Sequence, residues 1–194
     1  LGQWQPNAEG QYTAALAISG GLAQPEIAMQ GLAKHLRYLE ANSEQIIIKA
    51  NYRPYNNHGH DISINTPAMT WDKHAVEQAN VELNGDFFKQ SLRLDWTGDS
   101  SLSLLLDGEY SPMDKTWHGQ ANRVTATLDK QVLTSDQPIA MSYKQDSHHV
   151  EINSHCWRGD DVDVCLTKEA TFTPDEGELA FDIEFDSVLI KPFL

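Results

Sequence analysis

The sequence predicts an all-β protein of mostly antiparallel strands, and three observations carry that expectation. Apolar and polar residues alternate at period two through most of the chain. Glycine and proline recur about every ten residues. Nearly every alternating run keeps one strictly polar, often charged face, while its other face carries large aliphatics. Period-two alternation puts successive side chains on opposite sides of a strand, one buried and one wet. Regular turn residues then cut the chain into a dozen or so short strands.

Taken in order, "ALAISG" places Leu16 and Ile18 on one face. The stretch "PEIAMQGLAKHLRYLEANSEQ" is ambiguous. Leu32, Leu36 and Leu39 have helical spacing, yet Gly31 interrupts them and Ile27 and Met29 alternate, so it reads as strand, with a short helix over residues 30–42 as the competitor. Further on, Val81 and Leu83 oppose Glu82 and Asn84, and Leu92, Leu94 and Trp96 oppose Ser91, Arg93 and Asp95. "SLSLLLDG" aligns Leu102, Leu104 and Leu106. The cleanest alternation is "LAFDIEFD", with Leu179, Phe181, Ile183 and Phe185 against Ala180, Asp182, Glu184 and Asp186. This pattern suits a closed sandwich and an open curved trough equally. A recurring strand-glycine-strand unit ("LAISGGLAQPEIAM", "VELNGDFFKQSLRL", "LLLDGEYSPMDKTWHGQANRV") leans toward a sheet stacked strand upon strand.

Bulk properties exclude some functions. The 194 residues carry 28 acidic and 14 basic side chains, a net charge of −14, which argues against binding nucleic acid or anionic headgroups by charge. No apolar run approaches the roughly 20 residues of a membrane span. The chain opens on Leu1 and closes on "VLIKPFL", which reads as an excised fragment.

Little in the sequence points to chemistry. Cys156 and Cys165, the only cysteines, flank a turn-like Arg-Gly-Asp-Asp. Their spacing matches neither a CxxC redox motif nor a zinc site, and His155 leaves a tetrahedral set incomplete. A disulfide across a hairpin is the economical reading and implies an oxidising compartment, with buried free thiols the alternative. The pairs His58/His60 and His148/His149 lack a third ligand. Asp182, Glu184 and Asp186 read as a solvated stripe, and Trp96, Trp117 and Trp157 as packing residues before sugar platforms. No catalytic motif is present, so neither an enzyme, nor a cofactor, nor a metal is expected.

The second half is more specific. Trp117-x-Gly119 opens a strand after a glycine-ended one, Cys156-Trp157 and Cys165-Leu166 follow, and a block from Phe185 to Phe193 closes the segment. Together these resemble the TamB family of Gram-negative bacteria, most strongly over residues 100–194. The resemblance implies a single β-sheet segment, residues 1–194, from the interior of a longer periplasmic protein anchored in the inner membrane. It implies kinship with AsmA-like and bridge-like lipid-transfer proteins, whose sheets curl into a trough (a β-taco, or half-pipe). It also implies a TamA-like outer-membrane barrel as partner. The role would be phospholipid transfer between the membranes, assembly or secretion of outer-membrane proteins, or both; a secreted carbohydrate-binding sandwich is the alternative.

On that picture, acyl chains or unfolded β-strands lie against an apolar lining. Its expected residues are Leu16, Ile18, Ile46, Ile48, Ile62, Ile64, Val81, Leu83, Leu92, Leu94, Trp96, Leu102, Leu104, Leu106, Val150, Ile152, Val162, Val164, Leu179, Phe181, Ile183 and Phe185. Each methylene so covered is worth about 0.8 kcal/mol. A sheet cut from a longer one exposes unpaired strand edges, so edge-to-edge self-association is expected, the strand ending in "FDSVLIKPFL" included.

Overall fold

The computed structural model describes residues 8–22, 24–53, 59–72, 74–128, 131–160, 162–173 and 178–186. Every regular element among them is a β-strand, and the strands form one antiparallel sheet. The two packed sheets of a sandwich are absent among the described residues. The chain divides into two compact units, residues 1–101 and 102–194.

The first unit is a meander of β1 (Ala8–Gly21), β2 (Gln24–Tyr38), β3 (Ala41–Arg53), β4 (Gly59–Thr66), β5 (Met69–Trp71), β6 (His74–Gly85) and β7 (Lys89–Gly98). β4 and β5 pair with β3 on one side and β6 on the other without a shift of register. They are one strand interrupted at Pro67, which has no N–H to give the ladder. β1, β2 and β3 run 14, 15 and 13 residues, longer than the short strands the punctuation suggested. Gly31, expected to interrupt, sits inside β2. The helical competitor over 30–42 is likewise overruled. β2 is paired along both edges, to β1 and to β3, and two filled ladders outweigh the weak helical preference of one leucine spacing.

The second unit is built from interrupted strands. β8 (Ser100–Ser111) neighbours β9 (Thr116–Leu128). The first half of β9 pairs with β11 (Ile139–Lys144) and its second half with β10 (Gln131–Ser135). The same division recurs. β12 (His149–Ile152) pairs with β11, and β13 (His155–Arg158) with β10. β15 (Ala170–Thr173) pairs with β12, and β14 (Asp163–Leu166) with β13. β16 (Glu178–Ala180) pairs with β15, and β17 (Ile183–Asp186) with β14. Each such pair is one strand broken in the middle, and the breaks lie side by side.

They are bulges rather than gaps. Between Ser135↔Trp157 and Met141↔Ile152, the β10/β11 strand takes six steps while its neighbour takes five. Between Leu166↔His155 and Ala170↔Ile152, the β14/β15 strand takes four against three. The backbone stays bonded across the line: the Asp136 N–H donates to the Cys156 carbonyl at 2.9 Å, and Asn153 and Thr167 donate to Ala140 and Asp182 at 3.0 Å. Extra residues on alternate strands bend a sheet and increase its twist. Leu102, Leu104 and Leu106 of β8 and Trp157 of β13 pack against the buried cluster of Ala121 and Val124 from β9 and Ile139 from β11.

Candidate functional site

Hydrogen-bonded register decides which side chains share a face, because residues directly opposite one another project the same way. In the first unit it collects the apolar positions into rows crossing the strands. Two rows are wholly apolar: Ala14, Gly31, Ile48, Ile64, Val81 and Leu94; and Leu16, Met29, Ala50, Ile62, Leu83 and Leu92. A row on each side mixes apolar and hydrogen-bonding side chains. One contains Tyr12, Ala33, Ile46, Thr66, Ala79 and Trp96; the other Ile18, Ile27, Tyr52, His60, Gly85 and Gln90. All eleven lining residues expected between Leu16 and Trp96 fall on this one face.

The opposite face is polar, as in the row Ala15, Gln30, Lys49, Ser63, Glu82 and Arg93 and the row Ala17, Ala28, Asn51, Asp61, Asn84 and Ser91. Leu32 and Ile47, paired across β2 and β3, are its large aliphatic exception.

Among the described residues no second sheet and no helix lies over the apolar face, whose inner aliphatics Ile48, Ile64, Val81 and Leu94 are half-buried among their own neighbours. Of the described hydrophobic residues only Ala33, Ala121, Val124 and Ile139 are buried, and the first unit's share is the small Ala33 alone. Leu16 is 63% and Ile18 69% exposed. A soluble domain of this length ordinarily sinks several large aliphatics into its core. A contiguous apolar surface left in the open marks a place where something else lies.

The second unit keeps the segregation. Trp117, Gly119 and Ala121 stand opposite Tyr143, Met141 and Ile139, followed by Val150 and Ile152 and then Phe172 and Ala170. Trp157 and Val164 share that side across the line of bulges. Of the other expected lining residues, Val162 lies in the turn before β14, and Phe181 (51% exposed) and Ile183 (48%) are open to solvent. The side chains of Leu179 and Phe185 lie outside the described residues, as do residues 187–194 and His58.

Cys156 stands directly opposite Cys165, and the two are disulfide-bonded. They occupy the polar face, beside Glu184 and the Arg158–Asp163 ion pair and away from Trp157 and Val164. No cluster of three metal-ligating side chains occurs among the described residues. His155 Nδ1 is 2.9 Å from the Asn153 carbonyl, His149 lies between Thr173 and Glu151, and the His148 ring stacks on Tyr143. Asp182, in the acidic stripe, pairs with Lys168, whose ammonium it holds above its usual pKa through a side-chain hydrogen bond.

Sequence reasoning found Ile18, Ile46 and Trp96 of the flanking rows but missed their hydrogen-bonding members. Tyr12 and Tyr52 belong to no obvious motif, His60 reads only as half of a histidine pair, and only register brings the three beside the aliphatic rows. It also left Trp117 out of the lining, although Trp117-x-Gly119 was conspicuous.

The family profile described as "TamB, N-terminal domain" matches residues 1–194, the first half of the chain included. The translocation and assembly module subunit TamB of Haemophilus influenzae is 22% identical over 197 residues, a match covering 94% of this chain and 14% of that protein. The chain thus spans a small fraction of this relative's length. No solved structure matches it.

Proposed function

Because this chain belongs to the TamB family, we propose that it is one section of a hydrophobic conduit. It carries phospholipid acyl chains through the periplasm, within an inner-membrane-anchored parent that works with a TamA-like outer-membrane barrel in a translocation and assembly module. One observation supports this above the others: register gathers the aliphatics of six successive strand positions on one face, and among the described residues no second layer lies over it. Acyl chains laid on the two aliphatic rows are shielded from water, while the flanking Tyr12, Tyr52, Thr66 and His60 meet the polar ends of the cargo. An open groove lets headgroups stay hydrated, so no charged clamp is required. The route is a sliding surface rather than a reaction centre.

The test uses the period of two. Photo-crosslinking residues are placed at Ile62 and Leu83 on the apolar face and at Ser63 and Glu82 on the polar face of the full-length protein. Lipid-sized adducts are expected from the first pair alone. Adducts of polypeptide mass at Ile62 and Leu83 would make the cargo an unfolded strand. Equal labelling of both faces, or none, would overturn the reading.

A further inference from the structure

Strand glycines usually answer to the backbone, and several here do: Gly85 and Gly98 have φ of +142° and +156°, and a side chain on either would run into a neighbouring main chain. Gly108 on β8 and Gly119 on β9 differ. Neither has a left-handed φ, so any L-residue suits their backbone. What a Cβ would strike at both positions is the indole of Trp117, well inside van der Waals contact. The ring therefore lies flat across both bare α-carbons, spanning two strands. Glycine weakens a strand, and two glycines under one ring are a costly way to fill a sheet if the ring only needs packing.

The ring's direction matters. Trp117 lies opposite Tyr143, which lies opposite Val150, so all three face the apolar side. Beneath the indole is the sheet. A methyl group under it forces it the other way, up from the floor. We propose that Gly108 and Gly119 hold Trp117 down as part of the floor of the lipid path, and that the indole, once raised, is an obstruction. Trp117 is thereby a positioning and lining residue of the second unit. Tyr12 over Gly31, whose Cβ would meet the phenol ring, is the same arrangement in the first unit. The inference rests on the conduit reading and adds to it the reason for the Trp-x-Gly pair.

The experiment uses the full-length protein loaded from phosphatidylethanolamine vesicles doped with a phosphatidylethanolamine bearing a diazirine on its acyl chain. Photo-adducts are mapped by peptide mass spectrometry, and folding is followed by circular dichroism. In Gly119→Ala the sheet signal should persist, while adducts on peptides carrying Tyr143 and Val150 fall to the background of polar-face peptides. Gly119→Ala with Trp117→Ala should restore them, since the obstruction is gone. Wild-type labelling in Gly119→Ala, or a folded double variant that stays dark, would overturn the proposal while leaving the conduit intact. If Gly119→Ala fails to fold, the double variant decides. Recovery of fold and labelling supports the proposal; continued unfolding assigns the glycine to the backbone and sinks it. An unlabelled wild-type apolar face would instead sink the conduit reading itself.

Discussion

Asp86 shows how one side chain sets a turn. Its carboxylate accepts from the backbone N–H groups of Lys89 at 2.8 Å and Phe88 at 2.7 Å, closing the β6–β7 connection. Those bonds, Lys89's first, favour the ionised form and hold the pKa below the usual 3.8. A depressed carboxyl pKa adds stability that is complete above the unfolded value and fades as pH falls through the folded one. The Phe88 and Lys89 amide NMR shifts should therefore titrate together with a midpoint below 3.8, and Asp86→Asn should abolish the titration; a midpoint at or above 3.8 would contradict this. The disulfide is a second residue-scale device. Cys156→Ser with Cys165→Ser opens a short loop, so the chain-entropy account gives a loss of about 2–3 kcal/mol. Since the bridge sits on the polar face, calorimetry should record that loss while lipid labelling of the apolar face stays unchanged.

At the scale of the element, what local pattern writes is legible and what neighbours write is not. The alternation at Leu92, Leu94 and Trp96 foretold β7 because a strand's two faces are both visible in its own residues. The continuity of β2 was harder. Gly31 looks like a breaker until Tyr12 of the adjoining strand is seen lying over it. The bulges at 136–138 and 167–169 were also hidden, because a bulge is a mismatch between two strands and neither carries it alone. Strand edges are a third case. Every described side chain of β1 from Glu9 onward is exposed, and among the described residues its register is with β2. We propose that the isolated chain pairs through this edge with a second copy. Light scattering should show concentration-dependent oligomers, and Ala15→Pro, which removes an N–H and kinks the edge, should shift them toward monomer. Oligomers that ignore the substitution would place the contact elsewhere.

For the molecule as a whole, charge and apolar surface are kept apart by face. The chain carries −14, yet the four rows of the first unit hold no lysine, arginine or carboxylate among their described members. That predicts an asymmetry between two charge insertions. Leu94→Arg places a guanidinium at a half-buried position on a face over which no described second layer lies, so it reaches water, and melting should shift modestly while lipid adducts at neighbouring Val81 disappear. Ile139→Arg buries the same charge in the tightest cluster of the second unit, which should cost several kcal/mol and unfold it. Comparable melting of the two variants would show that the first unit's face is covered after all. Which first-unit positions share the apolar face was readable in the sequence because period two is local. Their organisation into two aliphatic rows between two amphipathic ones was not, since that depends on how six strands are aligned.

The side-by-side bulges of the second unit have a mechanical consequence. A regular pleated sheet resists bending along its strands about equally everywhere, whereas one with its irregularities in a single file is compliant there and stiff elsewhere, like scored card. Flexing is thereby confined to a line crossing the strands. The disulfide stands two residues from that line on both β13 and β14, so it rivets two adjoining strands of one panel without locking the score. Widening or narrowing of the second unit's apolar side then becomes a rotation about one axis, with each panel keeping its ladder of hydrogen bonds throughout.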